Sequence, residues 1–150
     1  MHIRRAVIDD LPALTAIVRK NYDQQTAEHF VPEFEFSLTP NAYRPWFYVA
    51  EVDGVILGCA GHGANGTNWG SYALFWVNVH PDSQRQGIGE TLVRACLRDI
   101  RYIGDTVLIT TTVPSWYYKH FGFRLLQSVR TENTADAASG KSTVLMILEF

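Results

Sequence analysis

Val77-Asn-Val-His80-Pro-Asp-Ser-Gln84-Arg-Gln-Gly87-Ile-Gly89 is the stretch on which the fold turns. It joins an apolar strand to an amphipathic helix through a proline turn and a glycine-bearing loop. Upstream, Tyr72 to Val79 reads as a strand with Ala73, Phe75, Val77 and Val79 on one face and Leu74 and Trp76 on the other. A strand that is apolar on both faces lies inside its sheet and is covered on each side. Downstream, Ile88, Leu92, Val93, Cys96, Leu97 and Ile100 form one stripe at helical spacing. Arg94, Arg98 and Arg101 lie off that stripe, Glu90 and Arg94 form an i,i+4 pair, and Gly104 ends the helix. The first turn of a helix has unpaired backbone N–H groups and a positive partial charge, so it attracts anions. Glycines there let a phosphate approach the backbone closely. Spacing alone leaves two readings open, a phosphate cradle or a strand-to-helix turn that needs glycine for geometry.

Working outward, His2 to Ile8 has the β-branched character of a short strand. Asp9 and Asp10 offer a helix N-cap, Pro12 suits a first turn, and Leu11, Leu14, Ile17 and Val18 carry a helix to about Tyr22. Asp23 to Pro45 reads as a second short helix followed by a loop, broken by Pro32, Pro40 and Pro45. Trp46 to Val52 and Val55 to Gly61 flank Asp53-Gly54, the clearest hairpin signal in the chain. Beyond the long helix, Thr106 to Thr112 is a strand, Pro114 to Phe121 a short aromatic helix and Phe123 to Arg130 another strand. Thr131 to Lys141 is small and polar, as an exposed loop is, and Ser142 to Phe150 alternates as a last strand. Strands and helices alternate without an internal repeat, which predicts a mixed α/β or α+β sheet protein.

Composition narrows the function classes. A chain of 150 residues, 47% of them apolar or aromatic, suits one domain over 1–150 with a real core. Thirteen basic against fifteen acidic residues give a net charge of −2, which lacks the basic excess of a non-specific nucleic-acid binder. Cys59 and Cys96 have neither CxxC spacing nor a neighbouring histidine at metal-ligand intervals, so they read as reduced core thiols and no metal is expected. No apolar stretch of signal-peptide length follows Arg4 and Arg5, and no run approaches the roughly 20 apolar residues of a membrane span. A cytoplasmic setting, with no membrane partner, is the expectation. Gly61-His-Gly-Ala-Asn-Gly66 is a literal GxGxxG, but the β-rich continuation cannot be the helix a dinucleotide site requires. It reads as a hairpin loop, with no affinity for NAD expected.

Three features taken together resemble the GNAT superfamily of N-acetyltransferases. The central strand ends in Val79-His80-Pro81. Gln84-x-x-Gly87-x-Gly89 fits the family's Q/R-x-x-G-x-G/A acyl-CoA signature, and Tyr117-Tyr118-Lys-His-Phe-Gly122-Phe123 fits its aromatic-Tyr-x-x-x-Gly-Phe stretch. One helix and one strand separate the last two. The motifs span about Val77 to Phe123, and the element order extends the likeness over nearly the whole chain.

The resemblance implies a splayed, mostly antiparallel sheet of about seven strands with about four flanking helices. It implies acetyl-CoA as co-substrate, with its pyrophosphate on the loop Gln84, Arg85, Gln86, Gly87, Ile88, Gly89 and Glu90. The pantetheine arm would pair with the backbone of Val77 and Val79, where a main-chain N–H would polarise the thioester carbonyl. The acetyl group would pass directly to a primary amine of a small molecule, peptide or protein. Tyr118 holds the family position of the acid that protonates the departing thiolate, and Tyr117 is read as packing. The central strand lacks the carboxylate base that many relatives carry there, leaving Glu51, His62 and His80 as candidates. Phe30 to Phe47 and His62 to Tyr72, with Phe34, Phe36, Tyr43, Trp46, Trp69, Glu33 and Glu35, would supply an aromatic amine pocket or simply core. A non-catalytic acyl-CoA-binding or regulatory module on the same fold is the alternative, and monomer or homodimer stays open.

Overall fold

The computed structural model describes residues 1–43, 45–66, 69–129 and 143–150. Among them, β1 (His2–Arg5), β2 (Trp46–Val52), β3 (Val55–Ala64), β4 (Ser71–Val79), β5 (Thr106–Thr111), β6 (Arg124–Val129) and β7 (Thr143–Glu149) form one sheet in the order β1-β2-β3-β4-β5-β7-β6. Every neighbouring pair is antiparallel except β4 and β5. Four helices flank the sheet: α1 (Leu11–Asn21), α2 (Gln24–Ser37), α3 (Ile88–Ile103) and α4 (Pro114–Phe121). Against one face, α3 buries Ile88, Leu92, Val93, Cys96 and Ile100, and Tyr117 and Phe123 join them around α4. Against the other, α1 and α2 bury Leu14, Val18, Ala27, Phe30 and Phe34. Full burial of each large apolar side chain contributes roughly 1.5–3 kcal/mol, so these two layers carry the fold. Cys59 and Cys96 lie in opposite layers as buried free thiols, and burial pushes the Cys59 thiol up to about 12.

The hairpin turn is as the dipeptide implies, with Asp53 and Gly54 both at positive φ. Two expectations are corrected. Pro32 does not break the second helix. Instead α2 runs fourteen residues through it, because Ala27, Phe30 and Phe34 seat one face on the sheet. Pro32 and Glu28 are both exposed, so water can take the carbonyl that the missing proline N–H leaves unbonded. The GxGxxG segment is not all loop either: β3 continues to Ala64 and pairs His62 with Leu74.

The decisive irregularity is in β4. Its pairing with β3 shifts between Cys59 and Gly61, and Trp76 stands at φ 49. A left-handed backbone at a bulky residue costs about 1–2 kcal/mol. Packing over-determines it here: the Trp76 ring meets Phe30 edge-on at 5.1 Å, and its indole N–H donates to Glu33. At Gly58 the strands approach so closely that a Cβ would lie 2.5 Å from the Asn78 carbonyl oxygen. The bulge bends β4 away from β5. The two strands pair only at Ser71–Thr106, Tyr72–Val107 and Ala73–Leu108, and beyond Ala73 they part.

Candidate active site

The parting of β4 and β5 opens a cleft of about 960 Å³. Val77, Asn78 and Val79 form one wall, and Thr112, Val113, Trp116, Tyr117 and His120 form the other. Gln84, Arg85, Gly87, Gly89 and Glu90 close its end, while Asn21, Tyr22 and Asp23 overhang it from the α1–α2 turn. From Leu74 onward the β5-facing edge of β4 has no strand partner among the described residues, so backbone groups are presented to the cleft.

The loop before α3 is shaped as an anion cradle. Arg85 and Gly87 both have positive φ, and Gly87 caps the helix with no side-chain bond. Successive N–H groups in such alternating turns converge on a concavity that binds anions. The first bond into the helix runs from Thr91 N–H to the Gly87 carbonyl, so the amides of Ile88, Gly89 and Glu90 precede the hydrogen-bonded ladder. A Cβ on Gly89 would sit 3.5 Å from Val79 and 3.8 Å from Trp116, on the cleft floor. Gln86 and Ile88 do not line the cleft; Ile88 anchors the helix in the core, and the Gln86 amide bonds the Asp82 carbonyl at 3.4 Å.

An amide network fixes the mouth. Asn21 Nδ2 donates to Asn78 Oδ1 and to the Val79 carbonyl, each at 3.0 Å. Gln84 Nε2 donates to Asn21 Oδ1 and to the same Val79 carbonyl, each at 3.2 Å. Gln84 therefore ties the loop to the strand end. Asp23 caps α2 by accepting the Thr26 N–H at 2.7 Å, and that bond holds its carboxyl below the usual range. Glu90 is likewise held low by Arg94, and it also lies 3.3 Å from His120 Nδ1.

The candidate bases are scattered. Glu51 is paired to Arg4 at 2.7 Å on β2. His62 is buried on β3. His80 stands just past β4, with Lys20 Nζ 2.7 Å from its Nε2 and the Asp82 amide 3.3 Å from its Nδ1. None of the three lines the cleft. Tyr118 lies on the flank of α4, 66% exposed and outside the lining. Tyr117 lines the cleft but is locked between Trp116, Phe121 and Phe123, and burial pushes its phenol well above the ordinary value. The expected amine pocket also divides. Phe34 is core and Phe36 is exposed, while Tyr43, Trp46 and Trp69 line a different cavity. The sequence reading missed Asn21, Asp23 and Asn78. Asp23-x-x-Thr26 is a capping pattern that marks this turn, and Trp116 and His120 share a helix face by their i,i+4 spacing.

A splayed sheet with a helix N-terminus at the open end of its central strand is the architecture shared with the acetyltransferase structures the chain resembles. The chain belongs to the GNAT acetyltransferase family, whose Acetyltransferase (GNAT) domain matches residues 44–125. No curated protein sequence matches it. Among solved structures, a GNAT-family protein from Desulfovibrio desulfuricans is 22% identical, with a TM-score of 0.83 over 99% of this chain and 98% of that one. Ribosomal-protein-alanine N-acetyltransferase from Brucella melitensis is 20% identical, with a TM-score of 0.76 over 100% of both chains. An aminoglycoside 6′-N-acetyltransferase complexed with coenzyme A is 15% identical, with a TM-score of 0.78 over 99% of this chain and 97% of that one. At these identities the likeness establishes the fold.

Proposed function

We propose that the whole chain acts as one acetyl-CoA-dependent N-acetyltransferase domain that moves an acetyl group directly to a primary amine. The observation that carries this reading is the cleft itself, in which a β4 edge without a strand partner among the described residues leads to the amides that start α3. The pyrophosphate would rest on the Gly87–Glu90 amides with Arg85 beside it, and the pantetheine arm would bond the backbone of Val77 and Val79. A β4 amide would then polarise the thioester carbonyl as the amine nitrogen attacks. The C–N bond forms, the C–S bond breaks, the amine gives up one proton and the thiolate takes one.

Tyr118 is the donor to the thiolate in this reading. It is exposed on the α4 flank beside the cleft lining, whereas Tyr117 is held as a wall by its ring contacts. The amine enters past Tyr22 and Asp23, where the Asp23 carboxylate attracts its ammonium form and the surplus proton leaves to water. Steady-state kinetics on the two phenylalanine variants test the assignment. Tyr118→Phe should lower kcat by roughly 10²-fold with KM for acetyl-CoA little changed, in the range of a lost general acid. Tyr117→Phe should keep kcat within a few-fold. The opposite pattern would transfer the role to Tyr117, and binding of coenzyme A without turnover on any amine would leave an acyl-CoA-binding module.

A further inference from the structure

We propose that a second cavity, on the α3 face of the sheet at the closed end of the β4–β5 divergence, binds a small organic ammonium ion with an apolar or aromatic frame. This cavity holds about 750 Å³, within the range of small-molecule sites, and shares no lining residue with the cleft. It lies where β4 and β5 are still bonded, against the last turns of α3.

Five tyrosine and tryptophan rings, from Tyr43, Trp46, Trp69, Tyr72 and Tyr102, stand around it. Trp69 is 100% exposed and Tyr102 87%, so two large aromatic surfaces face the opening instead of the core. The carboxylate of Asp99 lies among them, and no lysine or arginine lines the cavity among the described residues. At its back, His62 is only 2% exposed, yet neither ring nitrogen has a hydrogen-bond partner among the described residues. Asp99 Oδ2 stands 3.7 Å from Nε2. Burial holds the imidazole below its ordinary pKa, which keeps one ring lone pair available.

Ammonium N–H groups can therefore donate to the Asp99 carboxylate and to His62 while the carbon frame lies against the rings. Aromatic faces attract cations, and Arg5 already rests its guanidinium over Trp46. The other charges near Asp99 leave room for this. Tyr48 donates its phenol to Oδ2, the exposed Arg98 stands 3.7 Å from Oδ1, and Arg5, seated on Trp46 outside the lining, lies within Coulomb range of Asp99 and His62. An anion would meet the Asp99 charge, and a neutral isostere would lose both the Coulomb and the cation–π attraction.

Isothermal titration calorimetry of the full chain, without acetyl-CoA, tests the proposal independently of the transferase reading. The probes are 2-phenylethylammonium and its neutral counterpart 2-phenylethanol. The ammonium should bind saturably and at least tenfold more tightly than the alcohol. Asp99→Asn, which can still accept from Tyr48, should weaken it at least tenfold. Trp69→Ala, which removes a side chain with no covered surface, should weaken it several-fold without touching the fold. Equal affinity for the two probes, no saturable binding, unchanged affinity in both variants, or displacement by coenzyme A would each overturn the proposal. Displacement would place the amine in the cleft.

Discussion

Replacing Asn21 tests whether the cleft mouth is held by the amide network. Asn21→Ala removes three hydrogen bonds, to Asn78 Oδ1, the Val79 carbonyl and from Gln84 Nε2. Each is worth about 0.5–1.5 kcal/mol net. The Gln84 bond is exposed and contributes at the low end. Asn78 is 2% exposed, and its Nδ2 already lacks a partner among the described residues, so orphaning Oδ1 as well falls at the high end. Alanine in the last turn of α1 recovers at most roughly 0.5 kcal/mol of helix propensity. The sum is a loss of about 2 kcal/mol, or about 4–8 °C in Tm for a chain of this size. Asn21→Asp should be worse, because it sets a carboxylate oxygen against two acceptors. Urea denaturation measures the loss, and KM for acetyl-CoA should rise several-fold as Val79 and Gln84 loosen. Two variants within 0.5 kcal/mol of the parent, or an aspartate milder than alanine, would refute the network's role.

Other outcomes follow from single positions. Gly89→Val should fold with stability changed by less than about 1 kcal/mol, since a Cβ there meets only ordinary contacts. It should nevertheless weaken coenzyme A binding at least tenfold by calorimetry, because its methyls stand on the cleft floor. Asp10 is buried and accepts from Arg4 through two 2.8 Å bonds and from the Val7 N–H at 2.8 Å, so its carboxyl is held below the ordinary range. A carboxyl depressed in the folded state stabilises above its unfolded pKa of about 4 and loses that contribution as pH falls below it. Asp10→Asn should therefore cost about 2 kcal/mol at pH 7. Parent and variant should converge by about pH 2 in a series of denaturation curves.

Motif and periodicity made the central strand, the glycine loop and α3 readable, because each carries a local signal: an apolar run, a positive-φ requirement and a 3.6-residue stripe. The family likeness was readable for the same reason. The splay was not. It depends on the Trp76 bulge, which arises from packing against Phe30 and from the absence of Cβ atoms at Gly58 and Gly61, contacts distant in sequence. The length of α2 was hidden by Pro32, whose local cost is outweighed by the burial of Phe30 and Phe34. Candidate bases were chosen by residue type near the strand ends, but type says nothing about which side of a sheet a residue faces. His62 lies in the cavity behind α3, Glu51 pairs with Arg4, and the mouth belongs to Asn21, Tyr22 and Asp23.

Acetyl transfer through the β4–β5 cleft is the activity on which the proposed function depends. Incubation with acetyl-CoA and a panel of primary amines, followed by free-thiol release and mass detection of the acetylated amine, measures it directly. The parent should give stoichiometric thiol and N-acetyl product, and Gly89→Val should lose both at acetyl-CoA concentrations that saturate the parent. Undiminished turnover in Gly89→Val, or thiol release without an acetylated amine, would contradict transfer through the cleft.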